Sequence, residues 1–324
     1  MSGCLRYIAF GLLLCVTGFS PLSTNCFALE KRDSGGLTHY IMGVFYEDLG
    51  DIDKAINEYR RALDSDNAAE IHLGLASSYV KKGSLEQAIN ELNICIKLDP
   101  ESTEPHAILA IIYASLNKSG LAEQEYEAAL KNASKLEPKN ADIFKGLGLL
   151  YLKQDKLSEA EIVFKAALTL NPEDPESHFY LGSIYDKLKK SVFSEKELEK
   201  AIEIKPDFDI ALNYLGYIYA QQNRNLSKAQ ELILKALKVD PDNAAYIDSL
   251  GWVYFKRGKV KEALKEIEKA DSLIEDPEVS DHLGEIYLKL GDVNKAKASW
   301  EKSLKLDPQQ KPVKEKLDKL NKLK

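Results

Sequence analysis

The sequence predicts an all-α protein, a solenoid of about eight helical hairpins that ends in a capping helix. An apolar pattern with helical spacing recurs about every 34 residues, and most units end at a helix-breaking proline. The same small residues and the same tyrosine return at the same positions of each unit. The 324 residues are 44% apolar and 29% charged, a composition that favours a packed core over disorder.

The first 28 residues differ in composition from the rest of the chain. They hold one cation, Arg6, an apolar run of twelve residues, and small residues at Cys26 and Ala28. This layout is typical of a secretory signal cleaved after Ala28, and the run is shorter than the about 20 residues of a membrane-spanning helix. An uncleaved anchor and lipoprotein processing at Cys15 or Cys26 are the alternatives. We therefore expect an exported, periplasmic protein, attached to the membrane through this leader in the alternative cases.

Charge and cysteine content exclude several classes of protein. The formal net charge of −7 argues against general nucleic-acid binding, which depends on neutralising phosphates. Only Cys95 lies outside the leader, so the cleaved chain has neither an intramolecular disulfide nor a cysteine-based metal site.

Residues 141–174 illustrate the repeating unit. Two apolar stripes with helical spacing are separated by the polar segment KQDK, and Asn171-Pro172 ends the unit because proline cannot continue a helix. The stripes consist of Phe144, Leu147, Gly148 and Tyr151, followed by Ala160, Phe164 and Ala167. After a linker at 29–35, units spanning 36–310 start near residues 36, 69, 103, 141, 175, 209, 244 and 277.

Three positions of the unit keep their residue type along the chain. A tyrosine recurs in all eight units, a glycine or alanine precedes it by three residues, and a small residue recurs on the second helix. Glycine inside a helix costs about 1 kcal/mol relative to alanine, so its recurrence requires a packing reason. We expect opposing small residues to let the paired helices approach closely, and the tyrosine to cover the seam between hairpins. The tyrosines are Tyr46, Tyr79, Tyr113, Tyr151, Tyr185, Tyr219, Tyr254 and Tyr287.

This pattern closely resembles the tetratricopeptide repeat (TPR) family over most of the chain. The resemblance implies a right-handed superhelical solenoid of TPR hairpins. The sequence departs from the pattern by about four extra residues near NASKLEP, one near QQNRNLSKA, and Asn67 where proline is usual. The motifs that carry the resemblance are LGLLY (147–151), LGSIY (181–185), LGYIY (215–219), LGWVY (250–254) and LGEIY (283–287).

The last fourteen residues, 311–324, are predicted to form the capping helix. Val313, Leu317, Leu320 and Leu323 line one helical face, and lysines occupy the other. A solenoid needs a polar-backed end cap for solubility. Contact of this lysine-rich helix with an anionic surface is the alternative.

The sequence shows no pattern of catalytic or metal-binding residues. Four histidines, His39, His72, His106 and His178, occupy one position of successive units, too far apart to share a metal, and His282 stands alone. We expect them to be partly buried between repeats. Phosphate loops, HExxH pairs and nucleophile elbows are absent from the sequence. We therefore predict a protein that is not an enzyme and has no cofactor, metal or small-molecule substrate.

The resemblance also implies where a partner would bind. In the family, the first helix of each hairpin lines the concave groove with its positions 2, 5, 9 and 12. In this sequence those positions form an apolar and aromatic strip edged by aspartates, and such rigid aromatics are typical of recognition anchors. Packing of these side chains between repeats is the alternative. The predicted groove residues are Leu149, Leu152, Phe179, Asp186, Tyr217, Asp248, Trp252, Phe255 and Asp281.

These features predict a protein–protein interaction scaffold or adaptor of the cell envelope, with a peptide or helical segment as its partner. The segments LGYIYAQQNRNLSKAQELI and DSLGWVYFKRGKVKEALKEIEKA resemble the C-terminal part of exported bacterial TPR proteins. The alternative is a chaperone or assembly factor for an outer-membrane, secretion or surface-polymer system.

Overall fold

The structure, a computed structural model, describes residues 34–322. That part of the chain contains 17 α-helices and no strand, which confirms the predicted all-α class of paired helices. The leader, residues 1–28, lies outside the described residues, and the first helix begins at Ser34, inside the predicted linker.

Each hairpin consists of a first and a second helix, and the helices are numbered along the chain. The first helices are α1 (Ser34–Asp48), α3 (Ala69–Lys82), α5 (Glu104–Ser115), α7 (Ala141–Lys153), α9 (Pro175–Lys187), α11 (Asp209–Gln221), α13 (Ala244–Lys256) and α15 (Pro277–Lys289). The second helices are α2 (Ile52–Leu63), α4 (Leu85–Leu98), α6 (Ser119–Leu136), α8 (Leu157–Leu170), α10 (Ser191–Ile204), α12 (Leu226–Val239), α14 (Val260–Leu273) and α16 (Val293–Leu306). A final helix, α17 (Lys311–Lys322), follows them.

The described chain divides into two compact units, 34–171 and 172–322. The first unit contains hairpins one to four, and the second contains hairpins five to eight together with α17. In each unit the buried side chains come from both helices of a hairpin and from the next hairpin, for example Tyr59, Leu75 and Leu109 in the first unit. Stacking therefore buries the apolar stripes that a single hairpin leaves exposed.

The turn inside every hairpin uses one residue with a left-handed backbone. Half of the turns use glycine and half use a larger residue. The residues are Gly50, Gly83, Asn117, Asp155, Lys189, Asn223, Gly258 and Gly291. The extra residue of the sixth unit is accommodated by a second left-handed residue, Asn225, with φ of 50°. The extra residues of the third unit lengthen α6 to 18 residues, whereas α4 and α8 have 14. The difference of four residues is about one helical turn, so the buried face of α6 stays in register.

The recurrent glycine lies where the two helices of a hairpin come closest. A Cβ added to Gly251 would lie 2.4 Å from Cγ1 of Ile267 and 3.2 Å from the backbone oxygen of Ala263. At Gly284 the added atom would lie 2.3 Å from Nε1 of Trp300. The expected contact between small residues is therefore only part of the reason, because glycine also leaves space for a large side chain 16 residues later.

The recurrent tyrosine contacts the preceding hairpin, in agreement with its expected position over the seam between hairpins. The hydroxyl of Tyr151 donates to Glu127 at 3.3 Å, and the hydroxyl of Tyr219 donates to Glu195. In both cases the carboxylate belongs to the second helix of the preceding hairpin.

Helix α17 covers the end of the eighth hairpin. Val313 and Leu320 are buried against Trp300 and Ala296, while Leu323 lies outside the described residues. The apolar face predicted for a cap is thus directed onto the stack.

Replacing Gly251 by alanine is expected to destabilise the protein by about 1–3 kcal/mol, because the new methyl group overlaps Ile267 in a packed core. The measurement is the urea midpoint followed by far-UV circular dichroism. Gly120→Ala is the matched control, since a Cβ at this helical position meets no atom within 4 Å, and the change is expected to be neutral or stabilising. Equal urea midpoints for both variants would show that the close approach of the paired helices is not the reason for glycine at position 251.

Candidate protein-binding surfaces

The predicted groove residues belong to both units. Leu149 and Leu152 lie half-buried on α7 in the first unit, and the other seven lie in the second unit. The second unit brings together Tyr217 on α11 with Asp248, Trp252 and Phe255 on α13. Binding of a partner by these residues stays a prediction, and their packing decides how much surface each one offers.

Phe179 and Asp186, on α9, contact the next hairpin. The ring of Phe179 packs edge-on against Phe208 at 5.6 Å and against Tyr214 at 5.8 Å between centroids. The hydroxyl of Tyr214 donates to Asp186 at 3.2 Å. Burial, together with the charge of Asp186, raises the pKa of Tyr214. Both predicted groove residues therefore hold hairpins five and six together.

Trp252 forms the middle of a stack of rings. Its ring stacks on His282 at 3.9 Å and on Phe255 at 5.1 Å, and the ammonium of Lys256 lies 4.3 Å from its centroid. The side chain is only 6% exposed, and its indole Nε1 has no hydrogen-bond partner among the described residues. Most of the accessible surface of the stack therefore belongs to its half-buried neighbours, such as Phe255.

Asp248 is buried beneath this stack and binds the next hairpin. The Nδ1 atom of His282 lies 2.9 Å from Oδ1 and 3.0 Å from Oδ2 of Asp248. Burial alone would lower the pKa of His282, but the nearby carboxylates of Asp248, Glu278 and Asp281 outweigh it and raise that pKa. The imidazole of His282 is thus paired with Asp248 and stacked on the indole of Trp252, and these contacts join hairpins seven and eight.

Tyr217 reaches past hairpin seven to hairpin eight. Its hydroxyl donates to Glu278 in the first turn of α15, and the side-chain amide of Gln221 donates to the same hydroxyl oxygen. Burial and the charge of Glu278 raise the pKa of Tyr217. This contact places the tyrosine beside His282, with ring centroids 6.4 Å apart.

Asp281 is paired with the capping helix. The ammonium of Lys316 on α17 lies 2.8 Å from Asp281 and 2.8 Å from Glu285. These two acids occupy groove positions 5 and 9 of the eighth hairpin, and a cation of the same chain already neutralises them. The aspartates predicted to edge the strip thus serve internal contacts.

Sequence reasoning did not find His282, Glu278 or Lys316 as members of this cluster. The spacing contained one signal, because His282 follows Asp248 by 34 residues, one repeat period, so that the two side chains occupy equivalent helical turns of adjacent hairpins. Placing Asp248 at the edge of the partner-binding strip concealed this contact.

The other four histidines are paired inside their own hairpins. Each one binds a glutamate 19 residues later, on the second helix of the same hairpin, at 2.6–2.7 Å from Nδ1. Two of them also contact the connection from the preceding hairpin, which agrees with the expected position between repeats. The Nε2 atom of His72 lies 2.8 Å from Oδ1 of Asn67, and Nε2 of His178 lies 3.0 Å from the backbone oxygen of Pro172. The pairs are His39–Glu58, His72–Glu91, His106–Glu125 and His178–Glu197.

The first helices of the first unit present a different surface, which we call the apolar stripe. Position 9 holds Val44, 38% exposed, and Ile111, 61% exposed, while Leu149 at the same position is half-buried. The apolar stripe consists of Val44, Val80, Ile111, Leu149 and Leu152, at positions 9 and 12 of these helices.

Acidic residues lie beside the apolar stripe, at the start of the first helices. Glu70, Glu104 and Asp142 occupy position 2 of hairpins two, three and four. Burial raises the pKa of Glu104, and no cation is paired with its carboxylate among residues 34–322. The surface thus combines exposed apolar groups with negative charge on one side.

Neither a metal cluster nor a membrane span occurs in the described residues. Within 34–322, no group of three or more His, Cys, Asp or Glu side chains is arranged to hold a metal ion. No helix in the same part of the chain has the length and apolar character needed to cross a membrane.

Comparison with known proteins matches the repeats. Models of the tetratricopeptide repeat match residues 46–102, 109–175, 146–192 and 219–277, and a second model of this repeat matches 277–310. A TPR repeat-containing protein of Pseudomonas aeruginosa is 41% identical over 66 residues, 20% of this chain and 11% of that protein. The type IV pilus assembly protein PilF of the same organism is 30% identical over 95 residues, 29% of this chain and 36% of its own. The matched segments therefore span well under half of either relative.

Solved structures share the fold. A tetratricopeptide repeat protein from Parabacteroides merdae has a TM-score of 0.58 at 21% identity, covering 78% of this chain and 98% of that chain. A chain of the APC/C hetero-tetramer Cut9–Hcn1 has a TM-score of 0.57 at 17% identity, covering 83% of this chain and 52% of its own. At these identities the similarity concerns the fold alone.

The Asp248–His282 pair is expected to make stability depend on pH. Because the folded-state pKa of His282 is raised, its contribution is complete below the unfolded-state pKa of about 6.5 and is lost as pH rises through the folded-state pKa. The melting temperature should therefore fall from pH 6 towards alkaline pH in the wild type more steeply than in His282→Gln. That variant should also lose about 3 kcal/mol, because it leaves Asp248 buried without its cation.

The double variant Asp248→Asn/His282→Gln is the control, since it keeps polar groups at both positions and removes both charges. It should share the shallow pH dependence of His282→Gln. If the melting temperature of the wild type changed with pH in parallel with that of the double variant, the assignment of Asp248 and His282 as a charged pair would be contradicted.

Proposed function

The chain belongs to the tetratricopeptide repeat family, and we propose that it is a non-enzymatic scaffold of the cell envelope. It binds a peptide or a helical segment of another protein on the first helices of its hairpins. The apolar stripe carries this proposal, because exposed aliphatic side chains aligned on neighbouring elements are typical of an interaction surface.

The apolar stripe suits a segment with two or three apolar anchors. Val44 and Ile111 leave aliphatic surface in solvent, and small residues at Ala107 and Ala114 leave room beside them for a backbone to approach. Fully burying one such side chain contributes about 1.5–3 kcal/mol, so a few anchors support micromolar affinity once the entropy of ordering is offset.

The acids beside the apolar stripe favour a partner with basic flanking residues. Glu104 is already partly desolvated, which raises its pKa, and a lysine or arginine of the partner would restore the stability of the carboxylate. The same acids disfavour an acidic segment, since like charges at an interface are repulsive. The proposed partner is therefore an apolar and basic segment.

In the second unit, two predicted aromatic anchors are half-buried and keep accessible surface, Tyr217 and Phe255. Trp252 holds its ring in a stacked position, and Tyr217 is held by Glu278. Residues that are immobilised before binding lose little entropy on binding. We propose Phe255 and Tyr217 as contact residues here, with Trp252 and Asp248 as positioning residues.

An exported location rests on the composition of residues 1–28, which lie outside the described residues. The leader has the length and apolar run of a secretory signal. We propose the periplasm as the compartment, with the uncleaved and lipidated forms as the membrane-attached alternatives.

A second candidate function is that of a chaperone or assembly factor for an envelope structure. The similarity of 30% over 95 residues to a type IV pilus assembly protein favours it. The match covers 36% of that protein and consists of repeats, so it supports a shared mode of partner binding more than a shared partner.

The binding surface is tested with peptides selected from a random display library on the purified chain. Selected peptides should contain apolar anchors and basic residues, and should bind with micromolar affinity by fluorescence anisotropy. Val44→Glu/Ile111→Glu is expected to weaken binding about tenfold or more, because each change removes the burial of an aliphatic group.

Leu136→Glu/Ile162→Glu is the matched control, since both residues are about two-thirds exposed and lie on second helices. It introduces the same charge away from the apolar stripe and should bind as the wild type does. Equal binding by both double variants would place the site elsewhere, and loss only on Phe255→Ser would place it in the second unit.

The leader is tested by intact mass measurement of the chain recovered from a Gram-negative host after fractionation. Cleavage after Ala28 is expected to give a periplasmic chain that begins at Leu29, because Ala28 is a favourable small residue before the cut. An unprocessed or lipidated mass in the membrane fraction would contradict cleavage and favour the anchored alternatives.

A further inference from the structure

The connections inside hairpins five, six and seven are strongly basic, whereas the connection of hairpin eight, 289–295, holds two Lys residues and Asp292. The segments 187–194, 221–230 and 249–261 contain three, two and four Lys or Arg residues, respectively, and no Asp or Glu. In the first hairpin, the segment equivalent to 187–194 is 48–55, which holds three Asp residues and one Lys, so a net basic charge is not a general requirement of this turn.

The connections between hairpins have the opposite charge. The segments 171–176, 206–209, 240–242 and 275–278 hold three, two, two and three Asp or Glu residues, and no Lys or Arg. Connections within and between antiparallel hairpins lie at opposite ends of their helices. The connections inside hairpins five to seven thus carry an excess of cations, and the connections between hairpins carry an excess of acids at the opposite ends of the helices.

Side-chain contacts place the basic connections side by side. Arg224, in the turn of hairpin six, donates to Glu195 at 2.8 Å, near the start of α10 in hairpin five. Arg257, in the turn of hairpin seven, donates to Gln230 near the start of α12 in hairpin six. Each turn therefore lies against the second helix of the preceding hairpin. We call the surface formed by the four turns of the second unit, around Lys189, Asn223, Gly258 and Gly291, the turn edge.

Several cations of the turn edge have no carboxylate partner. Arg224 and Lys228 are paired with glutamates, but Arg257 binds a neutral amide, and the ammonium of Lys259 lies over the ring of Tyr254 at 5.7 Å. In residues 34–322, no acid lies within ion-pair distance of Arg257, Lys259 or Lys261, and all three are exposed. Their charge is thus available to an anion in solvent.

Exposed apolar side chains accompany these cations at both ends of the turn edge. Val192 and Phe193, just after the basic turn of hairpin five, are 81% and 57% exposed. Leu290, in the turn of hairpin eight, is 44% exposed. A soluble polyanion has no apolar surface to contact these exposed apolar side chains. A lipid surface has both anionic headgroups and, directly beneath them, an apolar layer.

We propose that the turn edge of the second unit docks onto an anionic lipid surface. The cations of hairpins six and seven contact headgroup phosphates, and Val192, Phe193 and Leu290 enter the boundary between headgroups and acyl chains. This site is separate from the apolar stripe, so a partner segment and a lipid surface use different residues. It is also independent of the leader.

The test uses the full chain with vesicles of phosphatidylcholine alone or mixed with phosphatidylglycerol. Co-sedimentation should show binding to the anionic vesicles that weakens as salt rises. Arg257→Gln/Lys259→Gln/Lys261→Gln is expected to lower the partition coefficient about a hundredfold, since each cation near an anionic surface contributes roughly a factor of five. Val192→Ser/Phe193→Ser should lower it about tenfold through lost apolar insertion.

The matched control is Lys238→Gln/Lys265→Gln/Lys305→Gln, which removes the same charge from exposed lysines outside the turn edge. It should retain binding to within a few-fold. Hydrogen exchange supplies a local readout that attachment through residues 1–28 does not move, with protection expected in 187–194 and 254–261 on anionic vesicles.

Three results would overturn the proposal. One is unchanged exchange in both segments on anionic vesicles, and another is equal loss of binding in the control and the turn-edge variants. The third is binding insensitive to Val192→Ser/Phe193→Ser and equally strong to soluble polyphosphate, which would assign the edge to a polyanion instead of a lipid.

Discussion

The structure depends on the close approach of the two helices in each hairpin at a recurrent glycine. At Gly251 and Gly284 the space of a missing Cβ is filled by Ile267 and Trp300, whose side chains are almost fully buried. This contact sets the distance between the two helices. It therefore also sets how much apolar surface the hairpin leaves to pack against the next hairpin. Stacking follows because neither helix of the pair can bury that remainder alone.

Polar contacts then fix the register of the stack. Histidine–glutamate pairs join the two helices of a hairpin, and tyrosine–glutamate hydrogen bonds join one hairpin to the next. Buried polar groups are costly when unpaired, so a slipped arrangement would leave several carboxylates and imidazoles without partners. The pair formed by Asp248 and His282 is the most buried of these, and it is covered by the ring of Trp252.

The same contacts determine which side chains remain for a partner. In the second unit, ring stacking and ion pairs occupy much of the first-helix surface, and Lys316 neutralises the acids of the last hairpin. In the first unit, aliphatic residues such as Val44 and Ile111 stay exposed. The second unit instead exposes cations and apolar groups at its turn edge. The two units thus differ in surface chemistry although they are built from the same repeat.

The repeat pattern alone determined the all-α class and the pairing of helices, because period and breakers are local properties of the chain. It also located the positions that hold the tyrosines and glycines of the packing. It did not decide what each first-helix residue contacts. Trp252 and Asp248 became internal because His282 of the next hairpin fills the space between them, and a contact between hairpins depends on side-chain volume and charge in three dimensions.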